Sequence, residues 1–545
     1  MSNETRQERP SLVARRAVSE MIELQRRIFE RQRKIIEKSE AHSSRDFGRY
    51  RNEYHKAVSG YSAESGFGAL CDAITLARVA FVADYHTLRL AQRTFVKLIH
   101  GVMHQVDNLC LAVEFVHADF QEDLDRYLRG KIKESTFLRR IQYREQWPYD
   151  IWPNFKPIFE LAIDQGFPVI AVDSDSELSL AKRDRLAADR IAEAAARFPD
   201  ATILVYAGQM HVAVPHLPAA VDRAFVSRGM ETPNRVIVYQ NAEEIYWQLA
   251  RARREGVEVV KVDAESYCVN NTPPLVQQLS YLHWVRFDQE LLEFTELDAT
   301  VRSLIKNLGR FLNLPFKKAA REVRVLMPGD LDLMDALEEG GLSEMEIEQV
   351  LASVEAEESA CIPSMGAIYL ATLSVNHAAE ESAHFLKYSI AGGRAPEDLK
   401  DRFYFTILNE AAGFFGSKVI NPKRKTDHQG KLRQIVAQAR KRKGKKSAEE
   451  RAAEFVLEHR SWERGNVPGR VSAKALASPA VFNAAAHMLG YMLGDRLYYG
   501  LTSGVIVKKV IRDLFVAPLD GPDEALARYL ELAEKVRDVK IPRRI

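Results

Sequence analysis

Cysteine is scarce in this chain: Cys71, Cys110, Cys268 and Cys361 are the only four in 545 residues. None pairs as CxxC, so the spacing offers neither a zinc knuckle nor a disulfide framework, and buried free thiols suit a reducing compartment. Long apolar runs are also missing. Nothing approaches the roughly 18–20 residues that span a bilayer, and the opening MSNETRQERPSLVARR holds no apolar stretch of the exporting kind. The expectation is a cytoplasmic protein without a membrane span. Net charge is nearly absent too, since 77 Lys and Arg stand against 75 Asp and Glu. A surface that is basic all over is thereby excluded, and any nucleic-acid role would need a local patch. No internal repeat recurs at a fixed period, which excludes a solenoid.

What is present is organised around residues 202–211, TILVYAGQMH. Five β-favouring or apolar residues run into Gly208, which reads as a strand buried on both faces and ended by a turn, with His211 just beyond. The pattern recurs. Residues 78–82 (RVAFV) lead to Asp84, Tyr85 and His86; residues 109–113 (LCLAV) lead to Glu114; residues 169–172 lead to Asp173. Ligands and chemistry in an open parallel sheet gather at the carboxyl ends of its strands, so four such strands deliver polar groups to one edge. Amphipathic helices are predicted between them, at 88–104, 119–128, 135–146, 154–164 and 179–197, followed by strand 235–239, helix 242–254 and strand 257–262. This alternation predicts an α/β domain, a mainly parallel sheet with helices on both faces.

The flanks differ. Residues 11–39 carry an incomplete helical stripe (Val18, Met21, Ile22, Ile28, Ile35, Ile36) after Pro10 and Ser11. Such an arm docks on the body or on a second copy in a homodimer, because its acids are interleaved with its bases. Beyond Pro273 and Pro274 strand signals fade and helices are predicted at 298–312, 343–355, 374–390, 396–415, 448–459, 479–499 and 523–536. The expected domains are therefore a helical N-terminal arm at 1–60, the α/β domain at 61–272 and a large all-α C-terminal domain at 273–545.

His86, Glu114 and His211 supply two imidazoles and a carboxylate from three strands, a set suited to a divalent metal such as zinc, manganese or iron, or to acid–base work. Asp84 and Asp173 stand near enough to join as ligands or supports. These residues also resemble a known family. The turn Asp84-Tyr85-His86 resembles the GExH motif after the first strand of ChaN-like haem-binding domains, relatives of the erythromycin esterases and of the Tiki and TraB proteins. Glu114 resembles that superfamily's strand-two glutamate, and Gly208-Gln209-Met210-His211 its GxxH motif. Trp147 to Pro157 and the helix bearing Arg183 and Arg185 are similar as well, so the resemblance covers about residues 69–263.

The resemblance implies a haem or small-molecule ligand, and with it catalytic or metal roles for His86, Glu114 and His211 and a metal-ligating role for Asp84. Haem in the family is held by a tyrosine, for which Tyr85 and Tyr206 are the candidates here. Two departures accompany it: Ala83-Asp84 stands where the family has Gly-Glu, and ChaN-like proteins are typically exported lipoproteins. The alternatives are a metal- or histidine-dependent hydrolase, esterase- or peptidase-like, and a scaffold with a vestigial pocket.

In the helical half, His377, Glu381 and His384 share one helix face. Glu381 and His384 form the ExxH unit of di-iron bundles, but a second ExxH is missing and Glu410 is the lone obvious partner. The expectation is a hydrogen-bonded polar stripe without metal. Residues 423–446 hold eleven Lys or Arg against one acid, Asp427, with no aromatic to stack on bases. They read as a solvated link, and a nucleic-acid partner is not expected.

Overall fold

The computed structural model describes residues 11–39, 45–147, 151–289, 295–327, 337, 342, 347, 350–351, 354, 358–371, 374–392, 395–442, 444–465 and 476–542. Most of the helix predicted at 343–355 lies outside the described residues, as do Pro148 to Asp150 of the Trp147–Pro157 stretch. Two compact units emerge, Phe29–Leu291 and a second made of Met1–Ile28 with Leu292–Pro542.

The first unit is built on eight strands: β1 (Ala63–Ser65), β2 (Val79–Asp84), β3 (Asn108–His117), β4 (Val169–Asp173), β5 (Ala201–Gly208), β6 (Arg235–Gln240), β7 (Val259–Lys261) and β8 (Ser266–Val269). Their order is β1-β7-β8-β6-β2-β5-β3-β4, parallel from β4 through β8 and antiparallel only at β7 and β1. The α/β expectation holds.

Apolar residues occupy both faces, as a parallel sheet covered twice by helices requires. Ala80 and Val82 of β2 meet one core with Phe95, Phe155 and Tyr206; Val79, Phe81 and Ala83 meet the other with Ile191, Val221 and Ile245. Burying a Val, Ile or Phe side chain of this kind contributes about 1.5–3 kcal/mol, so the central strands are the stable frame on which the polar edge is mounted.

Some elements carried too little pattern to be read. β1 is three residues long, β8 is four residues long, and helix Leu217–Ser227 follows a Pro-containing turn. Helix Arg45–Ala57 is mostly polar, yet it plants Tyr54 in a core of the sheet, joined by Val58 just past its end. Its apolar contacts are too few to make a stripe.

In the second unit the described helices include Thr295–Leu312, Val375–Ala391, Leu399–Ile420, Gln429–Lys441, Ala448–Glu463, Pro479–Ser503, Lys508–Val516 and Glu524–Lys535. A small three-stranded sheet accompanies them: β9 (Arg324–Leu326), β10 (Ala360–Ile362) and β11 (Ala367–Tyr369), in the order β10-β11-β9. Strands this short carry no readable period. The basic stretch 423–446 is a helix along Gln429–Lys441 rather than a bare link, and Lys423 is only 7% exposed.

Lys387 in helix Val375–Ala391 is 3% exposed, with Nζ donating to the Ala517 carbonyl at 3.3 Å, and burial pulls it from 10.5 down to about 8. Between these values the unfolded chain holds the proton that the folded chain has released, so stability rises with pH through the window; below about 8 the full penalty is present. Lys387→Met is therefore expected to raise stability at pH 7 by up to about 3 kcal/mol, with the gain vanishing above pH 10.5. Urea unfolding of both proteins at pH 7 and pH 10.5 checks this. Equal stabilities at pH 7 would show that Lys387 is hydrated.

Candidate functional site

The strand order creates the site. β5 lies between β2 and β3, pairing Asp84 with Gly208 and Val113 with Tyr206, so the ends of three strands that are distant in sequence become neighbours. Along β3 the register with β4 shifts between Val113 and His117, and Glu114 sits in that irregular stretch. Such a shift re-aims a side chain at a strand end. β3 runs on to His117, beyond the five apolar residues that signalled it.

His86, Glu114 and His211 come together around Gly208. A Cβ built on that glycine would lie 3.3 Å from Glu114 Oε2, 3.5 Å from His86 Nε2 and 3.6 Å from His211 Cδ2. Glu114 Oε2 accepts the Gly208 backbone N–H at 2.5 Å, and Glu114 Oε1 lies 3.4 Å from His211 Nε2. The missing side chain of Gly208 is thus a small cradle walled by three chemically active groups.

Both imidazoles are gripped from behind. His86 Nδ1 meets Asp84 Oδ2 at 2.7 Å, and His211 Nδ1 meets Asp184 Oδ1 at 2.5 Å. Each aspartate is held in turn. Asp84 Oδ1 accepts from Gln92 Nε2 at 2.7 Å and from the Tyr206 hydroxyl at 2.5 Å, while Asp184 Oδ2 accepts from the Tyr50 hydroxyl at 2.8 Å. A carboxylate on Nδ1 fixes the ring's orientation and leaves Nε2 as the working atom. The aspartate of the Asp84-Tyr85-His86 turn is thus placed behind His86.

Arg183 completes the wall. Its Nη2 donates to Glu114 Oε1 at 3.1 Å and to Asp173 Oδ1 at 2.7 Å. Burial opposes a charge on Glu114, but His211, Arg183, His86 and the Gly208 N–H outweigh it and hold the carboxyl well below its usual range. Burial, with Glu114 alongside, pushes Asp173 upward instead. Two carboxylates sharing one guanidinium are thereby driven apart in acidity, Glu114 downward and Asp173 upward. Burial also works against protonation of His86 and His211; Asp84 and Glu114 for the first, and Glu114 and Asp184 for the second, reverse it and raise both.

Of the two tyrosines considered for haem, Tyr206 is 2% exposed, stacked on Phe95 at 4.2 Å, and spends its hydroxyl on Asp84. Burial and Asp84 raise its pKa well above 10, which opposes the tyrosinate that iron would need. Tyr85 is half-buried on the turn before His86. His86 is the more open donor, with 35% of its side chain exposed and its ring edge-on to Trp147 at 5.1 Å.

Several supports escaped the sequence reading. Asp184 lies inside helix Leu180–Arg197 and Tyr50 inside helix Arg45–Ala57, and a single polar residue in a helix carries no signature. Only the position of Arg183 in a helix before the GxxH strand offered a hint.

Residues 70–182 match the model of a family described as haem-binding uptake, Tiki superfamily, ChaN. The match includes β2, β3 and β4 with His86 and Glu114, and stops short of Arg183, Gly208 and His211. No curated protein and no solved structure matches the chain.

Proposed function

We propose that the α/β unit binds haem or a divalent metal through His86 and His211, with Glu114 as the neighbouring anion. The observation that carries this reading is the pair of imidazoles, each fixed at Nδ1 by an aspartate, converging with Glu114 on the space beside Gly208. That donor set and that cradle fit an iron or a divalent cation taken by imidazole. They fit a tyrosinate-bound haem poorly at Tyr206, whose hydroxyl is already given away. When bound, the group would supply Lewis acidity or redox chemistry. The protein's own part is to hold both rings, to balance Glu114 with Arg183, and to admit ligand on the His86 side, where exposure is greatest.

A second reading, hydrolysis, is favoured by one observation: Glu114, kept anionic by Arg183, stands 3.4 Å from His211 Nε2, which is backed by Asp184. That arrangement can move a proton. In both readings the protein works in a reducing cytoplasm, which the four free cysteines support. No helix among the described residues is long and apolar enough to cross a membrane.

Titration of the purified protein with hemin, and separately with Zn(II) and Mn(II), tests the two readings. Saturable binding is expected, with a Soret shift in the haem arm, and it should weaken strongly in His86→Ala and His211→Ala while Tyr206→Phe leaves it nearly intact. A protein that binds neither ligand but cleaves esters or peptides, and loses that activity by about a hundredfold in Glu114→Gln, would instead establish the second reading.

A further inference from the structure

The helical unit contains a second constellation, far from the first in sequence. Glu380 and His384 lie on helix Val375–Ala391 and Glu410 on helix Leu399–Ile420, and one ligand atom from each comes within 4.8 Å of the other two. We propose that Glu380, His384 and Glu410 form a mononuclear site for a first-row divalent cation, of the Mn(II), Fe(II) or Zn(II) class.

Two atoms are left waiting. Glu380 is 4% exposed and its Oε1 has no hydrogen-bond partner, although Oε2 accepts from Arg424 Nη2 at 2.8 Å. His384 Nε2 is likewise buried and unpartnered, while Nδ1 meets Glu381 Oε2 at 3.1 Å. Leaving buried polar atoms unpaired carries a desolvation cost that a bound cation would remove. The sequence makes room for the ring, since a Cβ on Gly413 would overlap His384 Nε2.

The surroundings are those of a supported site. Glu381 fixes the His384 ring from behind, His487 Nδ1 holds Glu410 Oε2 at 3.0 Å, and Arg424 is steadied by the Tyr491 hydroxyl at 2.7 Å. Partners of this kind orient metal ligands and tune their affinity. Two carboxylates and one imidazole suit a divalent ion of intermediate hardness, and their two negative charges would neutralise it. One ExxH cannot make a di-iron centre, but Glu410 from the next helix and Glu380 one residue before the motif supply the three ligands a single ion requires. The bonds of Arg424 and His487 leave His384 Nε2 and Glu380 Oε1 unspent.

The test uses the full chain with His86→Ala and His211→Ala, which silences the α/β pocket. It is equilibrated with Co(II), and metal stoichiometry and visible d–d absorption are recorded. One Co(II) per chain is expected, lost on adding His384→Gln, Glu380→Gln or Glu410→Gln and weakened about 10–100-fold by Glu381→Gln. Near-ultraviolet circular dichroism verifies folding; should His384→Gln unfold, the two carboxylate variants decide. Absence of bound Co(II), or binding unchanged in folded Glu380→Gln and Glu410→Gln, overturns the proposal.

Discussion

Gly208→Ala is expected to leave the fold intact and to abolish ligand binding by the α/β unit. The added methyl would sit 3.3 Å from Glu114 Oε2 and 3.5 Å from His86 Nε2, a tight but tolerable fit that fills the space on which the three groups converge. Alanine also restricts the unfolded chain by about 0.4–1 kcal/mol, which offsets the small shift that Glu114 must make, so stability should stay close to the parent's. Affinity for hemin or metal should fall by more than about a hundredfold, equivalent to about 2.7 kcal/mol. Thermal unfolding and ligand titration on one preparation read both quantities. A variant that binds as the parent does would place the ligand elsewhere, and one that unfolds would make Gly208 a packing residue. His86→Ala and His211→Ala lack this separation, since each leaves an aspartate buried without its imidazole.

The second large effect concerns stability. Lys418 and Asp495 form an ion pair between helices Leu399–Ile420 and Pro479–Ser503, each side chain 2% exposed. Lys418 also donates to the Arg424 carbonyl at 2.9 Å and lies 4.6 Å from the centre of the Tyr499 ring. The pair itself adds little net stability, because desolvation offsets its attraction, but breaking it strands a charge. Asp495→Ala should therefore cost about 3–5 kcal/mol and lower the melting temperature by about 10 °C. The double variant Lys418→Met with Asp495→Leu should recover most of that loss, since two apolar groups replace two charges. Calorimetry of the three proteins decides the matter. An Asp495→Ala protein as stable as the parent would show that water reaches Lys418.

The close approach of those two helices has a sequence cause that patterning does not reveal. Gly490 and Gly494 lie against the backbone of helix Leu399–Ile420, a Cβ on Gly494 falling 2.6 Å from the Ala411 carbonyl oxygen. Nothing marks these glycines as contacts until the partner helix is known. The helix itself was legible, from Pro479 at its start and an apolar surface nearly all round, the pattern of a buried helix.

Local physics, read along the chain, was enough for the central strands of the α/β unit and for the edge to which they deliver His86, Glu114 and His211. A strand buried on both faces must be continuously apolar, and where that run stops a polar residue is exposed to chemistry. The same local reading could not say that β5 inserts between β2 and β3, because strand order is set by which pairings bury the most apolar surface across long separations. That order brings Gly208 between His86 and Glu114. Nor could it find Asp184 behind His211, Tyr50 behind Asp184, or His487 behind Glu410, since each comes from a helix whose own pattern reports which face is buried and nothing about what stands opposite. Sequence periodicity determined the long strands and helices and their polar ends. The tertiary structure decided the partners, because hydrogen bonds and ion pairs depend on distances of about 3 Å that only the packing of remote segments can set.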